Sequence, residues 1–163
     1  MTLLLTVHVI ISLLGIASGF IVAIGLLRNL ALNCTTAFFL GTTLLTSLTG
    51  FVLPAQHFMP SHAVGIISVV VLCLALFARY GRHLAGAWRK TYVVTALMAQ
   101  YLNVFVLVAQ LFQKVPALHA LAPTGSEPPF AAAQIVVLIL FIIWGITAAI
   151  RFKAPLGDPL GGM

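Results

Sequence analysis

The sequence predicts an all-α integral membrane protein, a compact bundle of five transmembrane helices. Of its 163 residues, 62% are hydrophobic and only 6% are charged, and the mean hydropathy is +1.18. Soluble domains carry roughly 25% charged residues, so this chain is not an ordinary soluble domain. Lipid offers no partner to unpaired backbone groups, and no alternating segments typical of a β-barrel occur, so the spans are predicted to be helices.

Five apolar stretches are long enough to cross a bilayer, which takes about 20 residues of helix. The predicted spans are residues 2–27, 32–53, 63–80, 92–113 and 131–150 of a single transmembrane domain, 1–163. No basic residue precedes the first stretch, and its apolar character continues beyond any plausible cleavage point. We therefore expect a retained helix there and not a signal peptide. Segment 116–130 is too rich in proline to be a spanning helix and is predicted to be a loop.

The basic residues fall unequally on the two sides of this topology. Seven lie on one side: Arg28, Arg79, Arg82, Arg89, Lys90, Arg151 and Lys153. Lys114 alone lies on the other. The positive-inside rule makes the first side cytoplasmic, with the N-terminus outside and the C-terminus in the cytoplasm. Because these charges are scattered between apolar runs, they indicate membrane topology, and we expect no nucleic-acid partner.

The two cysteines point to no redox chemistry. Cys34 and Cys73 fall toward the cytoplasmic ends of their predicted helices, and neither belongs to a CxxC motif. A reducing cytoplasm disfavours disulfides there. We expect both to be small buried thiols.

Four histidines are predicted to lie toward the outer side. His8 and His62 reach similar heights and face the bundle interior, whereas His57 and His119 lie in outer loops. Paired imidazoles can hold haem axially, so His8 and His62 are candidate ligands of haem b. A divalent metal could use His57, His62 and His119. The H-x4-H spacing matches no established metal motif, so structural histidines and a proton-handling role remain alternatives.

Polar side chains form stripes on two of the predicted helices. Gln100, Asn103 and Gln110 share one face of the fourth span, and Thr42 and Thr46 belong to a hydroxyl stripe on the second. One interpretation is interhelical hydrogen bonding, worth about 0.6 kcal/mol per contact. The other is a hydrated cavity or a ligand pocket between these helices.

No catalytic constellation is present: the sequence contains no HExxH, P-loop, GxSxG or GxGxxG motif. It therefore does not decide whether the protein is an enzyme. The segments LTSLTGFVLP, LAGAWRKTYVVTALMAQYLNVFVLVAQ and KVPALHALAPTGSEPPF are similar to small bacterial inner-membrane proteins. This resemblance implies a multi-pass protein of the bacterial inner membrane and assigns no residue roles.

These observations favour a membrane-embedded binding or redox-associated protein. Its site would hold a metal, a haem or a small molecule near the periplasmic side. The alternatives are a non-catalytic partner or assembly subunit, and a small transporter or channel that works as an oligomer. The expected partners are the lipid bilayer and either further copies of the chain or a larger membrane complex.

Overall fold

The described part of the chain consists of helices joined by short turns and loops. The structure, a computed structural model, describes residues 3–52 and 60–153, and the side chains of residues 60–62 lie outside this description. Within these ranges no strand occurs, and five helices are long and apolar enough to cross a membrane. The prediction of an all-α fold with five helices long and apolar enough to span a membrane is therefore confirmed for the described residues.

Three helices extend beyond the predicted spans 63–80, 92–113 and 131–150, whereas the described bounds of the first two lie within the predicted 2–27 and 32–53. In chain order the helices are α1 Leu3–Leu27, α2 Asn33–Val52, α3 Pro60–Leu76, α4 Trp88–Lys114, α5 Pro116–Leu121 and α6 Pro128–Arg151. A π-helical turn, Phe77–Gly81, continues α3. The predicted loop 116–130 contains the short helix α5, which Pro116 can begin because the first helical position needs no amide hydrogen bond.

Contacts between helix termini define one end of the bundle. Asn29 accepts a hydrogen bond from the backbone amide of Lys153, and Arg79 donates to Asn33 at 2.6 Å. These contacts join the α1–α2 connection to the C-terminus of α6 and to the π turn. We call this the basic end, because all seven basic residues other than Lys114 lie on helix termini or connections here. The opposite end is called the Lys114 end.

The apolar core occupies the half of the bundle next to the basic end. Its buried members come from five helices, the π turn and the loop that follows it: Val22, Ala23, Leu26, Phe39, Leu40, Leu72, Ala75, Ala78, Leu84, Tyr92, Val93, Ala96, Leu97, Ala99, Ala148 and Phe152. Leu84 joins this core although its φ is +55°, a conformation that is unfavourable for a branched side chain. Its burial holds the loop against the π turn, where the Leu84 amide donates to the Ala78 carbonyl.

Small residues of α1 allow close helix packing. Gly15 lies against Thr42 and Thr43 of α2, and Gly19 lies against Gln100 of α4. Without a Cβ, these positions bring the helix backbones near their neighbours, which is the usual way that membrane helices associate. α1 therefore packs closely against both α2 and α4 at these two glycines.

The outward faces of the spanning helices are apolar. Several large side chains are 48–63% exposed, namely Ile21, Phe38, Val70, Val94 and Ile143. An apolar surface that surrounds the whole bundle suits lipid and not water.

Both cysteines lie on this outer surface. Cys34 and Cys73 are free and exposed, so the expectation that they are buried is wrong. The reason is that exposed apolar faces are acceptable in a membrane helix, and a thiol is apolar enough to lie there.

Candidate functional site

A cavity opens between four helices in the half of the bundle nearer the Lys114 end. It has a volume of about 430 Å³, within the range of about 300–1,000 Å³ for small-molecule sites. Its polar lining residues are His8 and Ser12 of α1, Thr46 and Ser47 of α2, Ser68 of α3, and Asn103, Gln110 and Lys114 of α4. Apolar residues form the remaining walls, among them Leu5, Leu13, Ile16, Val64, Val106 and Leu107. α1, α2, α3 and α4, which also contribute to the apolar core, thus enclose an amphipathic space.

His8 makes a hydrogen bond from α1 to α2. His8 Nδ1 lies 2.8 Å from Thr49 Oγ1, and Thr49 Oγ1 also lies 2.8 Å from the Leu45 carbonyl oxygen of its own helix. In either tautomer this bond engages Nδ1, and Nε2 is the other ring nitrogen, a donor or an acceptor according to the tautomer. The imidazole thus brings a polar, titratable group to the cavity wall.

The deeper wall holds one satisfied amide and one unsatisfied hydroxyl. Asn103 Nδ2 donates to Thr43 Oγ1 at 3.1 Å, which ties α4 to α2. Thr46 Oγ1 is buried and has no hydrogen-bond partner in the structure. A buried hydroxyl without a partner costs about 1–3 kcal/mol, so a polar group that enters the cavity gains by meeting Thr46.

The charge of the lining residues is positive. Lys114, the last residue of α4, is exposed and contributes to the lining, as does the exposed Gln110 one turn earlier. Among the described lining residues there is no Asp or Glu. Asn103 and Lys114 are eleven residues apart on α4, so the lining spans about 17 Å along the helix axis.

Two residues predicted for this region pack between helices and do not line the cavity. Gln100 is fully buried, and its Nε2 donates to the Ile16 carbonyl at 2.9 Å. Thr42 donates to the Phe38 carbonyl of its own helix at 2.7 Å and lies against Gly15. Asn103, Gln110 and Thr46 do line the cavity. The polar stripes therefore divide between helix packing and cavity wall.

The predicted haem and metal ligands are only partly described. His57 lies outside the described residues, as does the side chain of His62. His119 is exposed on α5 and is not among the described lining residues of the cavity, whereas His8 is. In the described ranges, no three His, Cys, Asp or Glu side chains converge on a metal position. Haem binding through His8 and His62, and metal binding through His57, His62 and His119, therefore stay predictions.

Glu127, at the Lys114 end, has hydrogen bonds within its own loop. Its carboxylate accepts from the Thr124 amide at 3.0 Å, from the Thr124 hydroxyl at 2.9 Å and from the Ser126 amide at 3.0 Å. The bond from the Thr124 amide is the largest cause that lowers the pKa of Glu127 to about 2. The carboxylate stabilises the turn before α6, and its hydrogen bonds are made within that turn.

Comparison of the chain with known protein families, with curated proteins and with solved structures finds no match. The resemblance to small bacterial inner-membrane proteins stays a prediction. The function must therefore be argued from the cavity itself.

Sequence reasoning did not select several of the lining residues. Ser12 lies one turn after His8 on α1, and Lys114 lies one turn after Gln110 on α4, so their spacing could have assigned them to the site. Ser47 and Ser68 carried no such signal, because a single serine on an apolar helix usually bonds to its own backbone, as Ser47 does to the Thr43 carbonyl.

Proposed function

We propose that the protein is a membrane-embedded binding protein for a small amphipathic molecule with one acidic group. The observation that carries this proposal is the cavity of about 430 Å³, with apolar walls, a polar inner surface and a lysine at the end of α4. An alkyl chain suits the leucine, isoleucine and valine side chains of the wall. An anionic head group suits Lys114, since no described lining residue is acidic.

The polar groups of the wall have distinct roles in this proposal. Lys114 attracts the acidic group, and Gln110 donates a hydrogen bond beside it. Thr46, which is buried without a partner, gains a hydrogen bond from a polar atom of the ligand. His8, whose Nδ1 is bonded to Thr49, offers Nε2 for a further hydrogen bond to the ligand.

The positive-inside rule supports an orientation in which the basic end faces the cytoplasm. Seven of the eight Lys and Arg residues lie at that end. In this orientation the cavity lies toward the periplasmic side of a bacterial inner membrane, and its ligand comes from the outer leaflet or from the periplasm.

The charge preference is tested with three probes of equal chain length: dodecanoate, dodecanol and dodecylammonium. Each is titrated into the purified protein in lipid nanodiscs, and the unfolding midpoint is measured, because a ligand of the folded state raises it. We expect dodecanoate to bind about tenfold more tightly than dodecanol, since a hydrogen bond to a charged group contributes about 1.5–3 kcal/mol. Lys114→Gln should remove this preference, and Lys90→Gln, at the basic end, should not.

Occupation of the cavity is tested with a space-filling variant. Val106 lines the cavity, whereas Met98 of the same helix is 43% exposed on the outer surface. Val106→Trp should abolish the dodecanoate effect, and the matched control Met98→Trp should preserve it. If all three probes act equally on both variants, the proposal is wrong. A partner subunit or an oligomeric transporter then becomes the better hypothesis.

A further inference from the structure

Two leucines belong both to the lining of the cavity and to the outer surface of the bundle. Leu13 of α1 and Leu111 of α4 line the cavity, and they are 51% and 42% exposed. Most of the other lining residues are buried or half-buried. A side chain that lines a cavity and is also exposed lies at its rim. The cavity therefore opens to the surroundings of the protein where these two leucines lie.

Leu13 and Leu111 lie on the neighbouring edges of α1 and α4. Each residue of an α-helix is rotated by about 100° from the one before it. Leu111 lies about three turns after Gln100 and on the same face, and Gln100 contacts α1 through its bond to the Ile16 carbonyl. Leu13 lies about 160° around α1 from Gly15, which packs against α2. The rim is therefore a gap between α1 and α4, here called the seam.

Contacts close the cavity on both sides of α2. His8 Nδ1 and Thr49 Oγ1, 2.8 Å apart, join α1 to α2. Phe51 of α2 packs over α3, since a Cβ at Gly65 would lie 3.0 Å from Phe51 Cζ. The lining residues of α3 are all half-buried or buried, namely Val64, Gly65 and Ser68. Between helices, the seam is thus the open boundary of the cavity in the described part of the chain.

α6 packs beside the seam and leaves it uncovered. Nearer the basic end α6 packs on α1, where Trp144 Nε1 donates to the Ala23 carbonyl at 3.1 Å. Nearer the Lys114 end it packs on α4, where the ring centroids of Phe112 and Phe130 are 5.4 Å apart. Phe112 lies about 100° around α4 from Leu111. The described part of α6 therefore packs on a different face of α4, and the seam faces lipid.

We propose that the acidic amphiphile enters the cavity sideways from the bilayer, through the seam, and that its chain stays partly in lipid once bound. This inference rests on the proposed function, whose ligand it narrows to a lipid-soluble acid. Val9 and Leu107 lie one turn before Leu13 and Leu111 and also line the cavity, so the seam is apolar. An alkyl chain passes through it without desolvation of any polar group, whereas a solute that stays in water would lose its hydrogen bonds there.

Lys114 lies where a membrane lipid carries its head group. The cavity lining continues along α4 from Leu107 to Lys114, the last residue of that helix. A long basic side chain at the end of a spanning helix reaches the membrane surface. A lipid in a leaflet holds its head at that surface and its chain in the hydrocarbon. It therefore moves into the cavity without a change of depth or orientation, its acidic head meets Lys114, and its chain follows the seam.

The test compares two carboxylates that differ only in chain length. Dodecanoate and docosanoate, whose chain is almost twice as long, are titrated into the protein in nanodiscs, and each affinity is expressed per mole fraction of the probe in the bilayer. The unfolding midpoint reports binding. With an open seam, the additional carbons stay in lipid in both the free and the bound state and contribute no burial energy. The two affinities should therefore agree within about threefold.

Closing the seam should separate the two probes. Leu13→Trp enlarges a rim residue, and Leu14→Trp is the matched control, since Leu14 is 48% exposed and is not among the described lining residues. We expect Leu13→Trp to weaken docosanoate binding by about tenfold or more and dodecanoate binding by less, because the longer chain must cross the seam. Leu14→Trp should leave both affinities unchanged. Leu111→Trp narrows the seam from α4 and covers the case in which Leu13→Trp does not fold.

The outcomes separate this inference from the function on which it rests. If dodecanoate binds to wild type and docosanoate does not, the cavity is closed around its ligand, and the inference is overturned while the proposed function is retained. Equal binding of docosanoate to wild type and to both seam variants also overturns the inference. So does an equal loss of both probes in both variants, because the two leucines then wall a closed site. If neither probe binds to wild type, the proposed function fails, and the inference fails with it.

Discussion

The contact between Gly19 and Gln100 predicts a large effect from one added methyl group. A Cβ at position 19 would overlap the Gln100 side-chain oxygen and would lie 2.5 Å from Gln100 Cδ and 2.8 Å from Phe39 Cε2. Neither neighbour can move freely, because Gln100 is 0% and Phe39 is 1% exposed. Gln100 also holds α1 through its hydrogen bond to the Ile16 carbonyl. Gly19→Ala must therefore displace a packed side chain and break that bond.

The magnitude follows from these two effects. Overpacking costs about 1–3 kcal/mol, and an interhelical hydrogen bond in a membrane contributes about 0.6 kcal/mol. A gain of up to about 1 kcal/mol from the higher helix propensity of alanine opposes them. The free energy of unfolding should therefore fall by about 1–3 kcal/mol in total.

The assay is equilibrium unfolding in mixed detergent micelles, with a matched control and a double-mutant cycle. Gly41→Ala is the control, since a Cβ at Gly41 meets nothing within 4 Å, and it should leave stability unchanged or raise it. Gln100→Ala should relieve most of the overlap, so the double variant should be more stable than the sum of the two single effects. A stable Gly19→Ala protein, or strictly additive effects, would refute the close packing of α1 against α4.

Two further predictions concern the loops. In a variant without the native cysteines, Ser126→Cys and Ala85→Cys, both at exposed positions, should react with an impermeant thiol reagent from opposite sides of the membrane, and reaction from one side would contradict the five-span topology. Because the pKa of Glu127 is lowered to about 2 from 4.5, its contribution to loop stability should be complete above about pH 4.5, diminish as the pH falls toward about 2, and be absent in Glu127→Gln. Limited proteolysis of the loop between α5 and α6, measured against pH, checks this, and equal pH profiles for the two proteins would contradict it.

Much of the architecture could be predicted because it depends on the hydropathy of each segment, summed over about 20 neighbouring residues. Five apolar runs sufficed to locate α1, α2, α3, α4 and α6, since a spanning helix satisfies its own backbone whatever lies beside it. Their exact bounds could not be predicted in the same way. α4 begins at Trp88, where the sequence still contains Arg89 and Lys90, because long basic side chains can extend from a helix end to the membrane surface.

The site was predictable only in part. The stripe on α4 pointed to Asn103 and Gln110, and the structure places both on the cavity wall. The same stripe also included Gln100, which instead fills the space against Gly19. Gln100 and Gln110 lie on the same face of α4. Which of them packs against a helix and which lines the cavity depends on the neighbouring helices alone. The predicted roles of His57 and His62 lie outside the described side chains and stay predictions.

The sequence by itself determined that this is a helical membrane protein with one strongly basic end, because hydropathy and charge are properties of segments, independent of what packs against them. Only the tertiary structure decided that apolar side chains fill the bundle near the basic end and that a cavity opens near Lys114. It also decided that Arg79 is buried while Arg82, three residues later, is exposed. The burial and orientation of a side chain inside a bundle depend on contacts between residues far apart in the chain, such as Arg79 with Asn33. No local sequence pattern encodes such a contact.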